Sequence, residues 1–180
     1  MATTSAPAQQ NTEKIARQIS KENKEDSPVV QALNRQVANA FVLYANYKHY
    51  HWQTFGPHFR DLHKLFDELA AEVFGSLDEL AERVRMIGPD PPAHLIEAVD
   101  LATVRPAAPH STMREMIEEA DGNALIVIKE MRDGARVAEE HHDPGTVDIF
   151  SRTVQIHEKH EWFLREILRT EDGFHANGRT

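Results

Sequence analysis

Residues 51–83 read HWQTFGPHFRDLHKLFDELAAEVFGSLDELAER, the densest combination of helical periodicity with regularly spaced histidine and carboxylate in the chain. From Phe59 the large apolar residues fall at Leu62, Leu65, Phe66, Leu69, Val73, Leu77, Leu80, Val84 and Ile87. Those three- and four-residue steps trace one stripe of a helix. Gly56-Pro57 opens the segment and Gly88-Pro89 stops it. A single amphipathic helix of about 45 Å is expected between them.

Outward from this helix the same signals recur. Upstream, Ser27-Pro28 pairs a cap residue with proline at the first helical position, and Val30, Leu33, Val37, Ala40, Phe41, Tyr44 and Ala45 lead on to Trp52. Downstream, Pro89, Pro91, Pro92, Pro106 and Pro109 punctuate a long connection that leaves room for one short helix over His94–Leu101. A connector of that length crosses a bundle rather than turning tightly. Thr112 with Glu115 reads as a capping box opening a third long helix through Met116, Ala120, Ile126, Val127, Met131 and Val137. Asp143-Pro144-Gly145 is a turn, and a fourth helix runs from about Thr146 through Ile149, Val154, Trp162 and Ile167 toward Gly173. Nothing alternates with period two, so the class is all-α. Short turns after the first and third helices and one long central crossover describe a ferritin-like four-helix bundle, a pattern that other bundles share. Residues 1–26 read as a flexible arm with a nascent helix over Glu13–Lys21, residues 27–172 as the helical domain, and residues 173–180 as a short tail.

Composition bounds the chemistry. The chain has 180 residues, no cysteine and a net charge of −9, which excludes disulfides, thiolate metal sites and a cysteine nucleophile. No apolar run approaches the roughly 20 residues of a membrane span, and MATTSAPAQQNTEK lacks the basic start and apolar stretch of a secretory signal. A cytoplasmic protein without membrane partners is expected. The oddity is 11 histidines.

His63 and Asp67 are four apart on the second helix, as are Asp78 and Glu82, and the 11-residue step from Asp67 to Asp78 keeps all four on one side. The two pairs are nevertheless about 16 Å apart, too far for one ion. Either each pair is an ordinary solvated helix surface, or each is half of a site completed by a second copy of the chain. In an antiparallel two-fold pairing of second helices, the His63/Asp67 half of one chain meets the Asp78/Glu82 half of the other. The Gly56-Pro57 turn folds His51 back beside its own chain's His63/Asp67 half. Two imidazoles and three carboxylates suit Fe(II), Mn(II) or Zn(II) without selecting among them.

The run His51-Trp52, Gly56, Phe59, His63, Asp67, Asp78 and Ala81-Glu82-Arg83, with the closing helix IHEKHEWFLREIL, resembles the Dps family of mini-ferritins over roughly residues 28–170. The resemblance implies a four-helix protomer with a short helix in its crossover, twelve of which form a hollow shell. It implies a ferroxidase with two irons per inter-subunit site, held by His51, His63 and Asp67 of one subunit and Asp78 and Glu82 of the other. Fe(II) and hydrogen peroxide are then the substrates, ferric mineral is stored inside, and the cell is protected from oxidative stress. Zinc is an alternative occupant. Asp143 and Asp148 look like the acidic residues lining the pores through which iron enters, and Trp52 like a packing residue beside the ligands.

The remaining histidines carry less. His49 points about 200° away from His51 around the helix. His157 with His160, and His141 with His142, are spaced to form pairs, while His58, His94, His110 and His175 read as surface or loop residues. DNA binding, the alternative role as a nucleoid-protecting protein, needs a basic arm. Here Lys14, Arg17, Lys21 and Lys24 are balanced by Glu13, Glu22, Glu25 and Asp26, so weak or absent DNA binding is expected.

Overall fold

A computed structural model describes residues 12, 14, 27–110 and 112–169. Apart from Thr12 and Lys14, both helical, the arm with its expected nascent helix lies outside these residues, as do Gly173 and the tail. The described residues form helices α1 (Pro28–Gln53), α2 (Phe59–Ile87), α3 (Leu95–Leu101), α4 (Met113–Glu140) and α5 (Pro144–Leu168), with no strand among them.

Local chemistry sets the boundaries. Pro28 and Pro144 occupy the first turns of α1 and α5, where a missing N–H costs nothing. At α4 the capping box is complete: the Thr112 side chain accepts from Glu115 N and the Glu115 carboxylate accepts from Thr112 N. Gly88 ends α2 at φ 122°, a conformation open to glycine, and its N–H reaches Val84 O and Arg85 O at 3.1 Å. The fourth long helix starts two residues earlier than the sequence pattern suggests, because Asp143 caps it by accepting from Thr146 N at 3.0 Å and so draws Pro144 into the first turn.

Two helical hairpins make the bundle. Helix α1 packs chiefly on α2 and α4 chiefly on α5, and contacts of α1 with α4 and of α2 with α5 close the ring. The shared core holds Leu33, Val37, Leu43, Phe66, Leu69, Val73, Leu80, Val84, Met116, Met131, Phe150 and Leu164, all essentially inaccessible to solvent. Fully burying each such side chain contributes about 1.5–3 kcal/mol, offset by the entropy of ordering the chain.

The crossover is fastened by buried polar side chains. Asn39 Oδ1 accepts from Thr103 N and Val104 N, at 2.9 and 3.1 Å, while Asn39 Nδ2 donates to Glu130 Oε2 at 2.9 Å. Two turns further along α1, Asn46 donates to Arg105 O and accepts from Ala107 N, both at 2.8 Å. Tyr50 OH donates to Glu119 Oε2 at 2.5 Å, and His110 Nε2 meets the same oxygen at 2.7 Å. His110 is a loop residue, as expected, but its side chain is largely buried and ties the crossover to the bundle. These bonds hold α1 against the crossover and α4, and so fix the helix whose last turn carries His51.

Candidate metal centre

His51 lies in the last turn of α1 and His63 near the start of α2. The intervening turn, with Gly56 at φ 85°, reverses the chain so that their rings stack, with centroids 3.7 Å apart and planes inclined by 20°. Phe59 covers the other face of His63 at 5.1 Å. Each histidine bonds across the hairpin to the other's backbone: His51 Nδ1 to His63 O at 2.6 Å and His63 Nδ1 to His51 O at 2.9 Å. A carbonyl only accepts, so both Nδ1 atoms must carry the proton. With Nδ1 committed to a carbonyl, Nε2 is the nitrogen each ring has left to offer a metal, and imidazole binds a metal through such a nitrogen once it is unprotonated.

Asp67, one turn beyond His63, is exposed and receives the Lys48 ammonium at 2.5 Å. That hydrogen bond holds its carboxyl below the usual range, with smaller help from the Lys48, His51 and His63 charges. Lys48 is a participant that the sequence reading missed. It lies three residues before His51, hence on one face of α1 with it, and that spacing is the signal that was available. His49 turns away, its ring against Tyr50 at 6.1 Å.

Asp78 and Glu82 lie further along the same helix, both exposed, and neither forms a hydrogen bond or ion pair with any described residue. The protomer brings His51, His63 and Asp67 together and leaves Asp78 and Glu82 apart from them. Among the described residues no three histidine or acidic side chains converge closely enough to hold a metal ion. Trp52 is 66% exposed.

The fold has many solved relatives. A Dps structure from Thermosynechococcus elongatus is 48% identical, superposes with a TM-score of 0.80 and covers 82% of this chain and 94% of its own. The DNA protection during starvation protein of Brevibacillus brevis is 37% identical over 136 residues, 76% of this chain and 91% of that relative. Residues 30–173 match the Ferritin family, described as a ferritin-like domain. The chain belongs to the Dps family. A further Dps structure, from Vibrio cholerae, is described as a member of a broad superfamily of ferritin-like diiron-carboxylate proteins; it is 27% identical, with a TM-score of 0.77 and coverage of 83% and 92%.

In this Dps chain Asp143 and Asp148 have different surroundings. Asp143 uses Oδ1 for Thr146 N and for Arg83, whose guanidinium approaches to 2.5 Å, and Oδ2 for the Thr146 hydroxyl. Gly145 lies against that guanidinium, and a Cβ there would come within 2.8 Å of it. Asp143 thus already serves α5 as cap and ion-pair partner. Asp148 is more open, paired with Arg152, which also reaches Glu79 at 2.8 Å. No described helix is long and apolar enough to cross a membrane.

Proposed function

We propose that this protein is a ferroxidase and iron-storing mini-ferritin, oxidising Fe(II) with hydrogen peroxide at sites shared by two subunits of a twelve-chain shell. The observation that carries this reading is the division of donors. One half offers two imidazoles whose Nδ1 atoms are tied to carbonyls, leaving Nε2 for a metal, and the other offers two carboxylates with no partner among the described residues. An unpartnered pair facing its complement on a two-fold-related copy makes a five-ligand site. Exposed Trp52, Phe74, Met86, Leu95 and Ile96 supply apolar surface for such contacts.

Fe(II) is the substrate. Asp148, and Asp143 to the extent that Arg83 and Thr146 leave it available, line the proposed route inward within an acidic shell. At the site the three carboxylates offset metal charge and favour the ferric state, while His51 and His63 contribute neutral donors. Peroxide takes one electron from each of two Fe(II) and two protons from solvent, giving two Fe(III) and two waters. No unpaired electron is left to form a hydroxyl radical. Ferric ion then hydrolyses and is stored inside the shell. Trp52 is assigned to the subunit contact beside the ligands. Zinc fits the same donor set and would compete with iron. The cytoplasm is the proposed compartment.

Stoichiometry tests this reading. The assembled protein, eluting near the roughly 246 kDa of twelve 20.5 kDa chains, is expected to consume one peroxide for every two Fe(II), with no spin-trapped hydroxyl adduct. One peroxide per Fe(II) accompanied by the adduct overturns it.

The Lys48 ammonium sits on a ligand oxygen, so Fe(II) must displace it. Lys48→Met is expected to tighten binding of Zn(II), a redox-inert probe, by up to about fivefold, the scale of an exposed ion pair. Calorimetric titration reads this directly, and unchanged or weaker binding contradicts it.

The names of several relatives raise DNA protection as a second reading. The arm's four basic residues are matched by four acidic ones and the chain carries −9 overall, which opposes phosphate binding. A gel-shift titration is expected to show no stable complex at about 0.15 M salt. Retention of duplex DNA there would restore the nucleoid role.

A further inference from the structure

Inside the bundle, away from the His51/His63 hairpin, five buried polar atoms on four side chains lack a hydrogen-bond partner: Tyr47 OH, Asp121 Oδ1, both ring nitrogens of His157 and Nδ1 of His160. They belong to one neighbourhood. The Tyr47 and His160 rings are 5.8 Å apart, the His157 and His160 rings 5.5 Å, and the Asp121 charge acts on the Tyr47 hydroxyl. Tyr47, His157 and His160 are essentially inaccessible to solvent. A sixth such atom, Asn34 Oδ1, lies about 20 Å further along α1 and is separate.

Leaving a buried polar atom unpaired costs about 1–3 kcal/mol, and folded proteins rarely do so five times in one place. The donor and acceptor inventory identifies the missing partner. Burial pushes His157 down to about 3, so its ring is neutral and carries one N–H and one lone pair. The Lys159 ammonium and the His160 ring both bond Glu72, the latter through Nε2 at 3.0 Å, and they keep that carboxylate ionised. His160 therefore donates from Nε2, and its inward Nδ1 is a bare acceptor. The pocket must both donate, to His160 Nδ1, Asp121 and His157, and accept, from Tyr47 and His157. A cation would engage only the lone pairs, and an anion would oppose Asp121. Water does both.

We propose that the bundle encloses an internal hydration site in which ordered water bridges Tyr47, Asp121, His157 and the inward nitrogen of His160. Five bonds exceed the four of one molecule, so about two waters are required. The site is connected to the surface through His160, whose other nitrogen meets half-exposed Glu72. This gives the bundle interior a hydrogen-bonded route along which protons exchange with solvent.

A high-resolution crystal structure of the assembled, metal-free protein tests the site. Ordered water within hydrogen-bond distance of at least two of these four side chains is the expected result; side chains bonded only to one another, with no solvent between them, overturn it. Thermal unfolding of Tyr47→Phe gives a second reading. Removing a water-bonded hydroxyl lowers the melting temperature by a few degrees, whereas removing an unpaired one leaves it unchanged or raises it, and that second outcome also overturns the proposal.

Discussion

His51→Ala/His63→Ala is expected to bring peroxide-driven Fe(II) oxidation down to the protein-free rate while the shell remains assembled. The two rings are the only neutral donors of the proposed site. Loss of even an outer partner of a metal ligand costs about 10–100-fold, so losing two ligands should cost at least about a hundredfold. The change is tolerable for the fold. Both rings are half-buried at the end of a hairpin, and the carbonyls that lose a hydrogen bond, His51 O and His63 O, are near enough to the surface to be taken up by water. The cost is about 1 kcal/mol for each cross-hairpin bond. Ferric absorbance recorded after mixing Fe(II) with peroxide gives the rate. His49→Ala/His58→Ala, which removes two imidazoles outside the site, serves as the control and should leave the rate unchanged. Equal rates for parent and double variant would sink the metal assignment.

How far the sequence alone reaches depends on the range of each interaction. Helix boundaries are local: Pro28, Gly56, Gly88, the Thr112–Glu115 box and Pro144 each fix an end through their own backbone preferences, and each end falls within three residues of its sequence signal. The ligand candidates are legible because a helix converts sequence spacing into distance, so the separation of His63/Asp67 from Asp78/Glu82 follows from the rise per residue. What the sequence hides is which residue of one helix faces which residue of another. Lys48 reaches Asp67 only because α1 and α2 pack antiparallel in one register, a result of core packing. The same holds for His110, a loop residue whose bond to Glu119 no local pattern announces, and for His157 and His160. Their i, i+3 spacing suggests a pair but not where it faces; both rings lie in the core, because the buried stripe of α5 passes through them. The tautomer of His51 and His63 is the most consequential of these hidden facts. It depends on two backbone carbonyls that have no signature in the sequence.

Mixing two inactive variants is expected to restore about a quarter of the parent activity, provided that donors come from two chains. One variant is His51→Ala/His63→Ala and the other is Asp78→Asn/Glu82→Gln. Alone, each makes shells in which every site lacks one half, so both should be inactive. When the two are unfolded together in equal amounts and reassembled, each site draws its imidazole half and its carboxylate half from chains chosen independently. The chance that both halves are intact is about one in four. The outcome separates the two explanations of the 11-residue step between the carboxylate pairs. If those pairs were solvated helix surface and iron were oxidised elsewhere in each chain, neither variant alone would lose activity. If one chain closed its own site by a rearrangement bringing Asp78 to His51, both variants would be inactive and the mixture would stay so. Only a site built across subunits gives two inactive proteins and an active mixture. The exposed Asp78 and Glu82 carboxylates, unpartnered among the described residues, together with the Nε2 atoms that the cross-hairpin bonds of His51 and His63 leave available, are the two halves such a site requires.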